Sequence, residues 1–172
     1  MRLDLDQLIT IREPEDLGSC SLGELRSVRD HYQEVENGLS YARRIVQGRL
    51  DILTVELERR GEGGGGDLME RLPEALAQHT RGPGLPRPVR DLDPPAWADD
   101  ILGELDRIFS PAQLGELADV EEAQVIGAAA EVGELEREIS SARSELHRRI
   151  DRVQDELVGR YRDGATVDDL LA

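Results

Sequence analysis

Two stretches of the chain carry the same polar side chains at the same spacing. Residues 36–51 and 136–151 both follow the pattern Glu-x3-Ser-x2-Arg-x3-(Gln or His)-x3-Asp, and each residue of the second copy lies 100 positions after its counterpart. Helix packing requires a repeat of apolar residues but no repeat of polar ones, so the pattern predicts a ligand site. Its residues are Glu36, Ser40, Arg43, Gln47 and Asp51, and Glu136, Ser140, Arg143, His147 and Asp151.

These residue types suit a guanine nucleotide. Arginine binds phosphate through two parallel hydrogen bonds, reads the O6 and N7 atoms of guanine and stacks on bases. A carboxylate accepts from the N1–H and N2–H groups of guanine, a serine hydroxyl binds a phosphate oxygen, and a glutamine amide serves both donors and acceptors of a base. The four glycines at 63–66 follow no predicted strand and precede no Gly-Lys-Ser/Thr, so they do not indicate a phosphate-binding loop.

Two long helices are predicted to carry the two copies. Apolar residues recur at mostly alternating spacings of three and four in both stretches, which is the pattern of a coiled-coil seam. Both seams contain two successive four-residue steps, at 42–46–50 and 142–146–150. The first helix is predicted to open at Ser21, with Glu24 completing a capping box, and to end near Arg60 before a glycine-rich run. Its seam residues are Leu22, Leu25, Val28, Tyr32, Val35, Leu39, Ala42, Val46, Leu50, Leu53 and Leu57.

The second long helix repeats this seam. Its start is predicted either at Pro111, after an N-capping Ser110, or near residue 120, where Asp119 and Glu122 offer a capping box. It is predicted to run to about residue 163, with Gly164 as a left-handed cap. Its seam is Leu135, Ile139, Ala142, Leu146, Ile150, Val153 and Leu157.

The predicted fold is all-α: an antiparallel two-helix coiled-coil hairpin, with short connecting helices in a Gly/Pro-rich linker. Short helices are expected over 67–79 and 96–109, separated by a Pro/Gly segment over 80–95, and a last turn over 166–171. The predicted division is an N-terminal tail (1–20), the first coiled-coil helix (21–60), the linker (61–110), the second coiled-coil helix (111–163) and a C-terminal turn (164–172).

Each motif residue directly follows a seam residue, so the motif flanks the helix interface. At about 100° and 1.5 Å per residue, one copy forms a polar stripe about 80° wide and about 22 Å long. An antiparallel hairpin relates the two helices by a pseudo-twofold axis, which keeps both stripes on one face and runs them in opposite directions. This arrangement suits a ligand that is long, anionic and itself twofold symmetric.

The doubled motif on antiparallel helices resembles the cyclic di-GMP-binding signature of the RsiG anti-sigma factors of actinobacteria. The first copy matches all five positions of that signature, and the second departs at His147, where the signature has Gln. The resemblance rests on the two 16-residue motifs and the hairpin layout. It implies an anti-sigma factor that binds cyclic di-GMP, with two molecules expected, and sequesters a sporulation sigma factor of the WhiG type.

The resemblance also implies roles for the motif residues. The two arginines would contact phosphate and guanine, and the two aspartates would read guanine edges. The serines would bind phosphate oxygens, and the glutamates would orient an arginine or meet a base. His147 can still donate and accept a hydrogen bond, and it gains a charge at mild acidity.

Composition excludes several other classes of function. The net charge of −16 argues against a general basic surface for DNA and favours a partner with a basic surface. A single cysteine, Cys20, excludes an intramolecular disulfide and a cysteine metal cluster. No apolar run approaches the roughly 20 residues that a membrane-spanning helix needs, and the first residues lack the apolar region of a signal peptide. We therefore expect a soluble cytoplasmic protein without membrane contact. His31, His79 and His147 have no metal-ligand spacing, and no enzyme constellation is found.

Two other interpretations remain open at this point. A ligand-free coiled-coil scaffold could carry the polar repeat as a product of helix duplication, with Glu–Arg pairs on a solvated face. A nucleotide sensor could act on an effector other than a sigma factor. Saturable binding of cyclic di-GMP separates the first from a ligand site, and a pull-down with and without the nucleotide separates the second.

Overall fold

The computed structural model describes residues 4–10, 14, 16–62, 73 and 95–162. Apart from residue 73, the short helix predicted over 67–79 lies outside the described residues. The same is true of nearly all of the Pro/Gly segment over 80–95 and of the C-terminal turn with Gly164. His79 also lies outside the described residues.

Two long helices dominate the described chain. Helix α2 spans Leu22–Gly61 and helix α5 spans Glu122–Arg162. The capping box opens α2: the Glu24 amide donates to Ser21 Oγ at 3.2 Å, and the Ser21 amide donates to a Glu24 carboxylate oxygen at 2.8 Å. The other elements are α1 (Leu5–Leu8), α3 (Ala96–Ile108), α4 (Pro111–Gly115) and two 3-10 turns (Leu17–Ser19 and Leu117–Asp119).

The second long helix begins later than residue 111. Ser110 and Gln113 form a capping box that opens α4, but this helix ends after five residues. A 3-10 turn follows, and the carbonyl of Glu121 then accepts from the amides of Gln124 and Val125 and so starts α5. Asp119 belongs to the 3-10 turn and does not cap α5. The single helix predicted over 111–163 is therefore two helices separated by a turn.

The predicted fold class is confirmed: α2 and α5 pack as an antiparallel hairpin. Arg26 near the start of α2 contacts Tyr161 near the end of α5, and Arg60 near the end of α2 contacts Val120, which precedes α5. Between these two ends, Arg43 pairs with Glu136. The numbers of two residues that face each other across the interface therefore add up to nearly the same value along the whole hairpin, as an antiparallel register requires.

The predicted seam forms the core between the two helices. Most seam residues are buried, including Tyr32, Leu39 and Leu146, each with no exposed area. Leu50 and Ile150 are half-buried and pack against the rim of the core. Ile150 is the counterpart of Leu50 in the repeat. Each residue lies at the end of two successive four-residue steps in its seam (42–46–50 and 142–146–150). Such steps rotate a residue around the helix axis, here toward the side that carries the motif.

Helices α1 and α3 cover one side of the hairpin. We call the side that carries the ten motif residues the motif face and the opposite side the back face. Helix α3 lies on the back face along α2, with Trp97 over Gly38 and with Arg49 Nη1 donating to Asp106 at 2.6 Å. On the α5 side, Arg149 Nη1 donates to Asp6 of α1 at 3.0 Å.

These contacts show that the internal repeat extends beyond the motif. Asp6 and Asp106 differ by 100 residues, as do the two arginines that they bind, so α1 and the end of α3 are equivalent in the duplication. The described repeat therefore pairs residues 4–62 with residues 104–162.

Two arginine clamps join the end of each long helix to the 3-10 turn before the other. Arg60 donates to the carbonyls of Leu117 and Val120, each at 2.8 Å. Its counterpart Arg160 donates to the carbonyl of Leu17 at 2.7 Å and to that of Cys20. The carbonyls of Leu17 and Leu117 also accept from the backbone amides of Cys20 and Val120, so each clamp adds a second donor to a turn carbonyl. The two clamps hold the two ends of the hairpin in the same way.

Gly38 allows α3 to lie close to α2. A Cβ atom at this position would lie 2.7 Å from the ring of Trp97 and 2.7 Å from that of Pro95. We expect Gly38→Ala to displace α3 and to lower the free energy of unfolding by about 1–3 kcal/mol, because rigid rings cannot yield as a flexible side chain does. Trp97 is the only tryptophan, so a red shift of its fluorescence reports the displacement directly.

Gly48→Ala is the matched control on the same helix. A Cβ atom at Gly48 meets nothing within 4 Å, so we expect this variant to gain about 0.5–1 kcal/mol from the higher helix propensity of alanine, with unchanged fluorescence. Equal fluorescence and equal stability changes in the two variants would contradict the close approach of α3.

Candidate functional site

The ten motif residues lie along the motif face, which α1 and α3 leave uncovered. At about 100° per residue, Gly38 and Arg49 point roughly opposite to the motif residues of α2. Because α3 contacts α2 through those two positions, the stripe predicted from the sequence faces away from α3. Both copies are therefore accessible from the same side of the hairpin.

The first polar cluster is centred on Glu36 of α2. Its Oε1 atom accepts from Ser40 Oγ at 2.7 Å and from Arg143 Nη2 at 2.8 Å. Arg143 Nε donates to the same oxygen at 3.2 Å, and His147 Nε2 lies 3.3 Å from it. Three residues of the first and second copies thus converge on one carboxylate oxygen across the seam.

The second polar cluster is centred on Glu136 of α5. Its Oε1 atom accepts from Ser140 Oγ at 2.8 Å, from Arg43 Nε at 2.9 Å and from Gln47 Nε2 at 3.2 Å. Arg43 Nε also donates to Ser140 Oγ at 2.7 Å. Here Arg43 and Gln47 of the first copy contact Glu136 of the second copy. In the first cluster, Arg143 and His147 of the second copy contact Glu36 of the first copy.

The two clusters are equivalent under the pseudo-twofold axis. Glu36 pairs with Arg143 and Glu136 pairs with Arg43, and an internal serine bond accompanies each pair. Along the hairpin, the two arginines are separated by about 10 Å at 1.5 Å per residue. The clusters differ in one residue type, since Gln47 in one is replaced by His147 in the other.

The crossing pair with Arg143 helps to hold Glu36 in its ionised form. Partial burial alone would raise the pKa of Glu36, but hydrogen bonds from Ser40 and Arg143 and the charges of Arg143 and His147 outweigh it, so this pKa lies below its ordinary value. The side chains of Glu36 and Glu136 are each 17 % exposed. Both clusters are thus partly desolvated but open to a ligand from the motif face.

Asp51 and Asp151 lie at the two ends of the stripe. Asp51 is half-buried and Asp151 is exposed. In the antiparallel register they are about 35 Å apart along the hairpin, at 1.5 Å per residue. The structure therefore brings eight of the ten predicted residues into two adjacent clusters and leaves the two aspartates as the outer limits of the site.

The arginines retain donors for an anion. Among the residues that the structure describes, Arg43 makes its polar contacts through Nε alone, so its two terminal nitrogens can donate to a phosphate. Arg143 uses Nε and Nη2 for Glu36, and Nη1 remains for a ligand. Each guanidinium is held in place by a carboxylate from the other helix before any ligand arrives.

Two kinds of residue outside the motif were missed by sequence reasoning. The pairs Asp6–Arg149 and Asp106–Arg49, and the clamps of Arg60 and Arg160, fix the register that brings the copies together. The signal was available, since these residues also differ by 100 positions. In the described part of the chain, no group of three or more His, Cys, Asp or Glu residues could hold a metal ion.

Part of the chain is similar to a known protein family. Residues 11–76 match the family described as RsiG-like. The matched residues contain the first 3-10 turn, α2 and the whole first copy of the motif. No curated protein matches the chain.

The similarity of residues 11–76 to the RsiG-like family suggests a role of the anti-sigma-factor type, with a sigma factor as the general class of partner. The second copy of the motif lies outside the matched residues. It is connected to the first copy by the repeat and by the reciprocal pairs. None of the helices in the described ranges has the length and apolar character required to cross a membrane.

Proposed function

We propose that the chain is an anti-sigma factor that binds cyclic di-GMP across its motif face and sequesters a sporulation sigma factor of the WhiG type when the nucleotide is bound. The observation that carries this proposal is the reciprocal pairing of Glu36 with Arg143 and of Glu136 with Arg43. It produces two equal clusters of acid, arginine and hydroxyl on one open face, one for each of two nucleotide molecules.

Each residue type has a role in this proposal. Arg43 and Arg143 bind phosphate and stack on or read guanine, and Ser40 and Ser140 donate to phosphate oxygens. Glu36 and Glu136 orient the arginines. The outer positions meet the bases: Asp51 and Asp151 accept from guanine N–H groups, and Gln47 and His147 contact the base edge.

The pseudo-twofold axis also bears on the stoichiometry. A ligand bound asymmetrically in one half has an equivalent position in the other half, so two molecules are expected per chain. The stripe extends about 35 Å between its terminal aspartates, which leaves room for the two halves to be filled side by side. The proposal involves binding only, and no bond in the nucleotide is broken.

The proposed partner is supported by the similarity to the RsiG-like family and by the negative net charge of the chain. An acidic protein of net charge −16 complements the basic surfaces with which a sigma factor approaches polymerase and DNA. Sequestration of this kind takes place in the cytoplasm and requires no contact between the anti-sigma factor and DNA. The runner-up, a ligand-free scaffold, is favoured by the fact that the glutamates and arginines already neutralise each other.

Calorimetric titration with cyclic di-GMP tests the nucleotide site. We expect saturable binding with two molecules per chain, and much weaker binding of cyclic di-AMP, because adenine lacks the N1–H and N2–H donors that the aspartates require. The mononucleotide GMP is the second control, since it offers one guanylate where each molecule of cyclic di-GMP offers two. A flat titration with all three nucleotides would favour the scaffold.

A pull-down tests the partner separately. A WhiG-type sigma factor should be retained by the immobilised chain in the presence of cyclic di-GMP and released in its absence. Equal retention in both conditions would contradict ligand-dependent sequestration. Saturable nucleotide binding without retention of the sigma factor would instead indicate a nucleotide sensor with another effector.

A further inference from the structure

We infer that His147 makes one half of the nucleotide site proton-dependent, so that the chain binds cyclic di-GMP more tightly as the pH falls from about 8 to about 6. This inference rests on the proposed function, because it concerns the regulation of the same site. Its basis is the one difference between two halves that are otherwise equal in residue type and contact.

The geometry places His147 where its charge matters. Its Nε2 atom is 3.3 Å from Glu36 Oε1, the oxygen that also accepts from Arg143. In the other half, Gln47 Nε2 donates to the equivalent oxygen of Glu136 at 3.2 Å. The amide and the imidazole therefore occupy equivalent positions toward equivalent carboxylates, but only an imidazole can gain a positive charge near neutral pH.

The surroundings of His147 determine the sign of the effect. On α2, Glu36 contacts His147. By the antiparallel register, the α2 positions opposite His147 also include the buried Tyr32 and Arg29, which is itself bound to Asp30. Along α5 it is flanked one turn away by Arg143 and by the exposed Asp151. Its helix neighbour Arg148 pairs with Glu145.

Neutral His147 leaves the two carboxylates of its half, Glu36 and Asp151, opposed by one guanidinium. Protonation cancels the excess negative charge, and a dianionic nucleotide then approaches a half-site without net repulsion. The phosphodiesters keep their charge throughout this pH range. The protonated form therefore binds the nucleotide better, and binding must take up a proton.

The side chain of His147 is open enough for this exchange. It is 52 % exposed, whereas Glu36 is 17 % exposed, so protons reach the imidazole without any opening of the hairpin. The half with Gln47 has no group that titrates in this range at the equivalent position, and its affinity should be constant. One chain thus combines a constant half and a proton-dependent half.

Calorimetry on the full chain with cyclic di-GMP tests the inference. The unmodified protein should bind about threefold to tenfold more tightly at about pH 6 than at about pH 8, as expected for one added charge near a dianion in a partly solvated site. Titrations in two buffers with different ionisation enthalpies should show net proton uptake at intermediate pH.

Three variants isolate the residue. His147→Gln should bind the nucleotide with the same affinity at both pH values and without proton uptake, because it converts the second half into the first. Gln47→His should show a larger pH ratio than the unmodified protein. His31→Gln is the control, since His31 binds Thr10 on the back face, and it should keep the pH ratio of the unmodified protein.

The outcomes distinguish the inference from the proposed function. Undiminished pH dependence and proton uptake in His147→Gln would overturn the inference while leaving the nucleotide site intact. Affinity that is constant with pH in the unmodified protein would do the same. Absence of binding at every pH would refute the nucleotide site itself, and with it the inference.

Discussion

Replacing Arg43 and Arg143 by alanine together is expected to lower the affinity for cyclic di-GMP by about 100-fold or more. Each arginine contributes charge-assisted hydrogen bonds of about 1.5–3 kcal/mol to an anionic ligand, and about 1.4 kcal/mol corresponds to a factor of ten. Because the two arginines are equivalent under the pseudo-twofold axis, each single variant should lose a similar share. Calorimetric titration of the three variants measures these losses.

The matched control removes the same number of charges from the same protein. Arg137 and Arg148 are 68 % and 72 % exposed and pair with glutamates of their own helix, so the variant with both replaced by alanine should bind within about twofold of the unmodified protein. Helix content and melting temperature must be recorded for both double variants, since Arg43 and Arg143 also bridge the helices. A folded Arg43→Ala, Arg143→Ala variant with undiminished affinity would exclude the assigned site.

Replacing Glu56 by alanine is expected to destabilise the hairpin by about 2–4 kcal/mol, because it leaves two partly buried guanidinium groups without their carboxylate. Glu56 has no exposed area. Its carboxylate accepts from Arg59 Nε at 2.7 Å and from Arg60 Nε at 2.6 Å. Loss of Glu56 also releases Arg60, which clamps the carbonyls of the second 3-10 turn.

Glu156 supplies the control, because the repeat places it in the same relation to Arg160. Its side chain is 33 % exposed, so Glu156→Ala should cost less than about 1 kcal/mol. Urea denaturation of both variants measures the difference in free energy of unfolding. Equal losses would show that burial does not distinguish the two glutamates.

The pH dependence of Glu56 gives a second measurement of the same interaction. Hydrogen bonds from Arg59 outweigh the effect of burial and, with those from Arg60, lower the pKa of Glu56 below its ordinary value of 4.5. A carboxyl group with a lowered pKa in the folded state stabilises the fold above 4.5 and loses that contribution as the pH falls through the folded-state pKa. The stability difference between the unmodified protein and Glu56→Ala should therefore shrink below pH 4.5.

Much of the fold was predictable because the two seams and the two stripes have clear periods. The apolar spacing predicted both long helices and their interface, and the polar spacing predicted a stripe beside it. The start of the second helix was harder to predict, since Ser110 and Asp119 both offer capping signals. Backbone hydrogen bonds decided the matter: Ser110 opens α4, and α5 starts from the Glu121 carbonyl.

The pairing between the copies could not be read from the sequence. A coiled-coil seam of this kind is compatible with registers that differ by a whole heptad, and each would bring other polar residues together. The observed register sets Glu36 against Arg143. It is held by contacts far from the motif, such as Arg149 with Asp6, and the short α1 segment carries too few apolar residues to indicate where it would lie.

Helix α3 breaks the pseudo-twofold symmetry that the motif face has. Turning the motif face by half a rotation exchanges one copy for the other, so a partner that touched only this face could bind in two opposed poses of similar energy. On the back face, the thirteen-residue helix α3 packs against α2, whereas the equivalent helix in the described residues on the α5 side, α1, has four residues. A partner that reaches around the hairpin to α3 is therefore restricted to a single pose.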